Sequence, residues 1–282
     1  MKSAAFQYAK AKDLPGALDA LGEAEGGVKL LGGGQSLLPM MNLRLAWAEQ
    51  LLDISELETL KQRERRGTRY FIGGGVTHAA LEDGVADDLT QGYVPTVAAG
   101  IAYRSVRNKG TIGGSVVHAD PAADWPTALR ALDTRVLIQG RQDQRQLPLA
   151  EFQVGLMETA LEADEIVLGF ELPVLSERAR WAYKKFNRKT GEFGHALCAA
   201  VRDPAQSWAC VMLGAVVDTP QRLPALSEWL LKASAADVQR TAALDALIQD
   251  DLGQVLDQAP DSYEFHLAAT LIRRALREVV SS

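Results

Sequence analysis

Three glycine-rich stretches in the first half of the chain constrain its fold more than any other feature. Gly-Gly-Gly occurs at 32–34 and 73–75, each time after an apolar segment, and Thr-Ile-Gly-Gly-Ser lies at 111–115. Glycine is unfavourable inside helices and strands, so these positions predict turns. A tight turn alone is the simplest interpretation of any single run. The first and third stretches pass directly into apolar or small residues, which indicates embedded loops whose N–H groups suit an anion.

The common nucleotide-binding signatures do not occur in these stretches. Leu37 and His78 stand where a G-x-G-x-x-G motif would need its last glycine, and there is no G-x-x-x-x-G-K-[ST]. A Rossmann domain and a P-loop are therefore disfavoured. If the first and third stretches face each other, they would instead hold a diphosphate from both sides.

Composition and charge narrow the classes of partner. The 282 residues are 47% hydrophobic, which suggests about two globular domains, and the formal net charge of −6 disfavours a broad nucleic-acid or anionic-membrane surface. The N-terminus lacks the apolar core of a signal peptide, and no apolar run approaches the ~20 residues of a membrane span. We therefore expect a cytoplasmic protein without a transmembrane segment or a nucleic-acid partner.

The cysteine and histidine counts bear on redox chemistry. Cys198 and Cys210 each lie in an apolar segment and are expected to be buried free thiols, with a disulfide between them as the alternative. The four histidines are scattered, so the sequence predicts neither an iron–sulfur cluster nor a structural zinc site. If this chain handles electrons, its redox centre is organic or lies on another chain.

The order of predicted elements indicates an α+β protein with a boundary near residue 176. An early helix capped by Asp13 and strands at 28–33 and 51–55 predict a small βαβ-like unit. The segment 106–124 shows few helix signals, and 172–180 is typical of a linker. Further predicted elements are a hairpin around Gly67, helices from Thr77 and over 93–102, strands at 134–140, 165–173, 196–202 and 208–218, and helices after Leu226.

Two long motifs resemble those of a known family. LLGGGQSLLPMMNLRLA at 30–46 and VRNKGTIGGSVVHADPAAD at 106–124 are similar to the flavin-binding loops of the medium, FAD-binding subunit of molybdenum hydroxylases. That group includes carbon monoxide dehydrogenase and the bacterial xanthine dehydrogenases. Similar segments near both ends and in the middle extend the resemblance over nearly the whole chain.

The resemblance implies a fold as well as a cofactor. Residues 1–176 would form a two-lobed FAD-binding domain of the vanillyl-alcohol oxidase or p-cresol methylhydroxylase (PCMH) type, with lobes of about 1–56 and 57–176. Residues 177–282 would form a smaller α+β domain like the C-terminal domain of carbon monoxide dehydrogenase flavoproteins.

The resemblance also assigns residues to FAD. The backbone of 32–36 would contact the diphosphate, and the loop from Thr111 would contact it from the opposite side. Asp120 and Asp124 would lie near the adenosine or ribityl groups, and Lys185 near the polar edge of the flavin. Ser115 stands where the family often has Asn. Phe193 stands where it often has Tyr, which keeps ring stacking without the hydroxyl. The full predicted set is Leu31, Gly32, Gly33, Gly34, Gln35, Ser36, Leu37, Thr77, His78, Ile101, Thr111, Gly114, Ser115, Asp120, Asp124, Lys185 and Phe193.

Several of these residues have a structural alternative. Thr77 is as well explained as a helix cap, and His118 beside Asp120 is better explained by a structural or cofactor-contact role than as a catalytic pair. Arg104 and Arg107 precede a flavin loop and would pair either with phosphate or with acidic neighbours. No catalytic or metal-binding residue is predicted in this chain.

The function implied by the resemblance is electron transfer. A large partner would carry the molybdenum cofactor, a small partner would carry [2Fe-2S] clusters, and FAD on this chain would pass electrons to an external acceptor; the assembly would be a dimer of heterotrimers. Two other functions stay open: a self-contained FAD-dependent oxidase or dehydrogenase, and a nucleotide-binding scaffold that has lost its flavin.

Overall fold

The computed structural model describes residues 2–24 and 26–281, which form a mixed arrangement of helices and β-sheets. The strands are β1 (Gln7–Lys10), β2 (Val28–Leu31), β3 (Gln50–Asp53), β4 (Arg63–Arg66), β5 (Arg69–Gly73), β6 (Arg135–Gln139), β7 (Gln144–Pro148), β8 (Gln153–Gly155), β9 (Glu158–Thr159), β10 (Ile166–Pro173), β11 (Arg180–Phe186), β12 (Ala196–Asp203), β13 (Trp208–Gly214) and β14 (Gln221–Arg222). The helices are α1 (Leu14–Glu23), α2 (Leu37–Asn42), α3 (His78–Asp83), α4 (Tyr93–Ala99), α5 (Arg104–Arg107), α6 (Ile112–His118), α7 (Asp124–Arg130), α8 (Leu149–Phe152), α9 (Pro224–Lys232), α10 (Ala235–Gln239), α11 (Thr241–Val255) and α12 (Tyr263–Ser281). No helix in these two ranges is both long and apolar enough to cross a membrane.

The first sheet is parallel, with strand order β1-β3-β2. Helix α1 follows β1, and its first turn is capped by Asp13, whose carboxylate accepts a hydrogen bond of 2.8 Å from the Gly16 amide. Leu18 and Leu21 on this helix pack with Ile166 of β10. These elements confirm the predicted βαβ-like unit, although the sequence analysis did not predict β1.

The second sheet is antiparallel, with strand order β4-β5-β10-β6-β7. Strands β4 and β5 form the hairpin predicted around Gly67, which has a φ of +62°. The central strands of the sheet bury Ile72, Ile138 and Phe170 completely. This apolar face packs against helices that include α4 and α7.

The segment 106–124 is more helical than the sequence indicated. It lies between β5 and β6 and contains the end of α5, all of α6 and the start of α7. The prediction of few helices here was wrong because local propensity is weak where glycines occur, whereas tertiary contacts bury Ile112 and Val116 of α6 completely or nearly so. Helix α6 includes the two glycines of the third stretch, so this stretch is the start of a helix rather than only a turn.

The third sheet is antiparallel, with order β11-β12-β13-β14, and its strands were predicted as such apart from β11 and the two-residue β14. Alternate residues face opposite sides: Val201 and Cys210 pack towards α4 and α7, whereas Cys198 packs towards α9, α11 and α12. The two cysteines are therefore free thiols on opposite faces of the sheet. Burial raises the pKa of both thiols to about 12, so they stay protonated.

The segment between β10 and β11 is tied to the third sheet. The hydroxyl of Ser176 donates to Asp203 at 2.6 Å, and the Ser176 amide donates to the same carboxylate at 2.9 Å. Leu175 is buried in the core that the second sheet shares with the third. The two sheets thus enclose one continuous apolar core that extends to both sides of residue 176.

Candidate functional site

The three glycine-rich stretches converge on one cavity of about 700 Å³. Its walls come from the first sheet, from the helices that follow the second and third glycine stretches, and from the loop between β11 and β12. The predicted residues that line it are Leu31, Gly32, Gly33, Gly34, Gln35, Ser36, Leu37, His78, Ile101, Thr111, Gly114, Ser115, Asp124, Lys185 and Phe193.

The first and third glycine stretches touch each other. A Cβ on Gly33 would overlap the carbonyl oxygen of Lys109 and would lie 2.6 Å from the Cα of Gly110. Gly34 has a φ of +70°, which a residue with a side chain rarely adopts. Glycine is therefore needed here for close packing of two backbones and for a left-handed turn, in agreement with the prediction of facing loops.

The amides of the first stretch are free to bind a ligand. Within the two described ranges, the N–H groups from Gly32 to Ser36 donate to no acceptor of the protein. The hydroxyl of Ser36 likewise does not cap α2, although Ser36 is its N-cap residue. A row of unpaired amides at a cavity wall favours a ligand with negatively charged oxygens.

The amides of the third stretch are used differently. The Gly114 amide donates to Oγ1 of Thr111 at 3.0 Å, and the Ser115 amide donates to the Thr111 carbonyl at 3.0 Å. Thr111 is thus the N-cap of α6. The amides from Ile112 to Ser115 therefore donate within the protein, whereas those of the first loop have no acceptor among the described residues.

The second glycine stretch packs against the third and accepts hydrogen bonds from it. The Gly113 amide donates to the Gly74 carbonyl at 2.9 Å, and a Cβ on Gly113 would lie 2.8 Å from the Cα of Gly74. The Ile112 amide donates to the Val76 carbonyl at 3.0 Å. The three stretches therefore form a stack in which each packs backbone against backbone.

A buried ion pair closes one side of the cavity. The ammonium group of Lys185, on β11, donates to Oδ2 of Asp124 at 2.9 Å, and the hydroxyl of Tyr183 donates to Oδ1 at 2.9 Å. Asp124 is only 4% exposed, and burial raises the pKa of its carboxyl against the opposing effect of Lys185. The pair joins α7 to the third sheet, so part of the cavity wall depends on contact across the predicted boundary.

His78 lines the cavity at the beginning of α3. Its Nδ1 accepts a hydrogen bond of 3.1 Å from the indole N–H of Trp125, and its backbone amide donates to the Gly110 carbonyl at 2.9 Å. Burial and, to a smaller extent, the charge of Arg107 lower the pKa of His78 to about 4. The imidazole is therefore neutral at ordinary pH.

Two predicted site residues lie outside the cavity wall. Thr77 caps α3, because its Oγ1 accepts from the Ala80 amide at 3.1 Å. Asp120 forms a local turn, in which its Oδ1 accepts from the Ala122 amide at 2.8 Å. The cap was the structural alternative for Thr77, and both residues shape loops on which cavity residues stand.

One wall of the cavity was not predicted from the sequence: residues of the segment 161–167, before and at the start of β10, form it. Glu165 in this wall forms a bidentate ion pair with Arg145, with N–O distances of 2.6 and 2.7 Å. The Arg145 guanidinium lowers the pKa of the Glu165 carboxyl. No local motif marks this wall, because β10 reaches the cavity only through its pairing with β5 and β6.

Comparison with known proteins identifies the family of the chain. The model of the family described as the FAD binding domain in molybdopterin dehydrogenase matches residues 4–175. The chain belongs to the FAD-binding medium subunits of the molybdenum hydroxylases. This medium subunit is accordingly part of an oxidoreductase, and its cofactor is FAD.

Curated relatives align with the medium subunit over almost its full length. It is 33% identical to the nicotine 6-hydroxylase medium subunit of Paenarthrobacter nicotinovorans, over 99% of this chain and 98% of that protein. It is 31% identical to the carbon monoxide dehydrogenase medium chain of Hydrogenophaga pseudoflava, over 96% of each chain.

A solved structure shows the same fold. A chain of reconstituted carbon monoxide dehydrogenase from Oligotropha carboxidovorans superposes with a TM-score of 0.90 at 26% identity, over 100% of the medium subunit and 99% of that chain. The mixed α/β architecture described above is therefore that of carbon monoxide dehydrogenase medium subunits.

Proposed function

We propose that this chain is the electron-transfer subunit of a molybdenum-containing hydroxylase or dehydrogenase, in which FAD receives electrons from iron–sulfur clusters of a partner and passes them to an external acceptor. The observation that carries the proposal is the row of amides from Gly32 to Ser36, unpaired among the described residues, at the wall of a cavity of about 700 Å³. Substrate oxidation would take place on another chain.

The cavity fits the cofactor in size and chemistry. Its volume of about 700 Å³ lies within the usual range for ligand pockets, and its first loop offers amides to a diphosphate without a Cβ in the way. We assign the diphosphate to this loop, the flavin ring to the side of Phe193, and the polar groups between them to Asp124 and Lys185. Thr77 and Asp120 act by holding the neighbouring loops.

The protein's own contribution is binding and orientation. When bound, FAD supplies a redox centre that can hold one or two electrons. The residues of the cavity fix the cofactor between the glycine loops, and the buried pair of Asp124 and Lys185 places a balanced charge at the wall. No side chain of this chain is assigned a catalytic step.

We assign the domain organisation as the resemblance implied it. An FAD-binding domain of the PCMH type spans 1–176, with lobes of about 1–56 and 57–176, and a smaller domain spans 177–282. The family match over 4–175 supports this division, as does the location of the first sheet before residue 56 and of the third sheet after residue 179.

We propose that the partners are a molybdenum-cofactor large subunit and a [2Fe-2S] small subunit, in a cytoplasmic dimer of heterotrimers. The relatives are named as medium subunits or chains, which supports a multi-subunit assembly. Leu45 and Trp47 are 72% and 57% exposed and flank Ala46, a residue of the cavity wall. Large apolar side chains exposed beside the cofactor site support a protein interface there.

Purification of the native complex tests the proposal. The chain should be yellow and should co-purify with molybdenum and iron under gentle conditions when its partners carry no tags. Colourless protein that binds no added FAD would instead support a flavin-free scaffold. Turnover of an organic substrate by the isolated chain would support a self-contained oxidase.

The interface can be tested separately. Replacing both Leu45 and Trp47 with Ser should abolish co-purification of iron while FAD stays bound. Tyr263→Ser, at another exposed site, is the matched control and should retain the partners. Retention of iron by the double variant would rule out this surface.

A further inference from the structure

His78 is a buried polar side chain of the cavity wall, and only one of its two ring nitrogens is paired in the part of the chain that the structure describes. It is 5% exposed and belongs to the cavity wall. Its Nε2 makes no hydrogen bond within residues 2–24 and 26–281. A Cβ on Gly110 would lie 2.9 Å from this nitrogen, so Nε2 stands at the turn that packs against the first glycine loop.

The hydrogen-bond partner of Nδ1 determines which ring nitrogen of His78 carries the proton. The Trp125 indole N–H can only donate, so Nδ1 of His78, 3.1 Å away, must accept and carry no proton. A neutral imidazole has one proton, which then belongs to Nε2. Trp125 is fully buried and its ring stands 6.0 Å from that of His78, so the two rings lie together in the protein interior.

The charge state agrees with this assignment. His78 is buried next to the Arg107 guanidinium, and both effects lower the pKa of its imidazole to about 4. A cationic imidazole would also place two N–H groups against each other at Trp125. Near neutral pH the side chain is thus a donor without charge.

We propose that His78 donates a hydrogen bond from Nε2 to an acceptor oxygen of the dinucleotide at the junction of the glycine loops, and that Trp125 is the positioning residue that keeps the proton on Nε2. This inference rests on the proposed function, because it takes FAD as the ligand of the cavity. The FAD oxygen replaces the acceptor that the protein itself does not provide.

Two substitutions distinguish the roles of the two ring nitrogens of His78. His78→Asn keeps an acceptor oxygen near the position of Nδ1 but has no donor at the position of Nε2. His78→Gln can place an N–H donor near the position of Nε2. FAD binding to the purified chain, followed by flavin fluorescence, should weaken about tenfold in His78→Asn. It should stay within about threefold of wild type in His78→Gln.

The proton position is measured without the cofactor. Two-bond ¹⁵N–¹H spectra of the apo protein should show His78 protonated at Nε2 near neutral pH. Trp125→Phe should shift the signals towards a mixture of tautomers. A proton on Nδ1 in the wild-type protein would overturn the proposal, and this readout does not depend on whether a variant binds FAD.

The outcomes distinguish this inference from the proposed function. Wild-type protein that binds no FAD contradicts the proposed function, and the inference with it. Wild-type protein that binds FAD, together with a folded His78→Asn variant of equal affinity, contradicts only the role of His78. Equal losses in the Asn and Gln variants would also count against it, since the donor would then be irrelevant.

Discussion

At the scale of single residues, the site depends on glycines, which have no side chain, as much as on the side chains that line the cavity. Gly33 allows two loops to meet backbone against backbone, and the amides from Gly32 to Ser36 beside that contact have no acceptor among the described residues. The sequence predicted both loops because consecutive glycines are visible locally. It could not predict that Gly114 and Ser115 donate inside the protein, since that depends on Thr111 as a helix cap.

Replacing Gly33 with Ala should separate the two loops, because the new methyl group would overlap the Lys109 carbonyl. We expect FAD affinity to fall at least tenfold, on the order of the cost of overpacking a close contact. Gly253→Ala is the control: a Cβ there has nothing within 4 Å, and the residue lies inside α11. It should leave FAD affinity unchanged and stabilise the protein by roughly 0.5–1 kcal/mol. Equal flavin titrations for both variants would contradict the close contact.

His78 should give the apo protein a pH-dependent stability. The folded-state pKa of about 4 lies below the ordinary value of 6.5, so the unfolded chain takes up the proton first as pH falls. The contribution is intact above pH 6.5 and decreases by about 3 kcal/mol on acidification to pH 4. Urea unfolding of wild type and His78→Asn across this window measures it. The wild-type free energy of unfolding should fall more steeply, and parallel curves would contradict the buried neutral imidazole.

At the scale of elements, two arginines tie the short helix α5 to α3, and Arg107 is the more buried of the two. Arg107 of α5 forms two hydrogen bonds to the Glu82 carboxylate of α3, at 2.8 and 3.0 Å. It also donates to the carbonyls of Ile101 and Ala102, which line the cavity. The sequence left open whether Arg104 and Arg107 pair with phosphate or with acidic residues. In the protein, both pair with acidic residues of α3.

Removing the arginine should therefore affect both stability and cofactor binding. Arg107→Met should lower the free energy of unfolding by roughly 2 kcal/mol, because the side chain is 12% exposed and its hydrogen bonds involve a charge. FAD affinity should fall as the 101–102 loop loses its anchor. Arg104→Met is the control; it is 46% exposed and should cost no more than about 1 kcal/mol. Urea denaturation and flavin titration check both variants, and equal effects would contradict the anchoring role.

The sequence predicted the elements that are marked by short local signals such as helix caps and turns. The helix capped by Asp13, the hairpin around Gly67 and the helix capped by Thr77 all appear where expected. Helix α6 was missed because glycines in its first turn are poor helix formers, and its stability comes from packing against the second glycine stretch. The 161–167 wall was missed because strand order, which the sequence does not display, brings it to the cavity.

At the scale of the whole molecule, the core does not divide at the predicted domain boundary. Trp125 and Phe170, before residue 176, share one apolar cluster with Val201 and Met212 of the third sheet. Burial of this common surface favours cooperative folding of both parts.

A fragment of residues 1–176 should therefore be less stable than the full chain and should expose apolar surface. We expect it to bind the dye ANS and to melt without a sharp transition, whereas the full chain should show one cooperative unfolding transition. Calorimetry of both proteins is the measurement. A fragment that melts sharply at the temperature of the full chain would show that the two parts fold independently.

Strand β11 links the cavity to the last helix of the chain, α12. Its neighbouring lysines face opposite ways: Lys184 pairs with Glu278 on α12, and Lys185 pairs with Asp124 at the cavity. Strand β11 therefore connects α12 to the wall of the cavity. Substitutions in α12 that shift β11 should therefore change the position of Lys185 at the cavity wall, so natural variation in α12 is a place to look for differences in cofactor binding among otherwise similar chains.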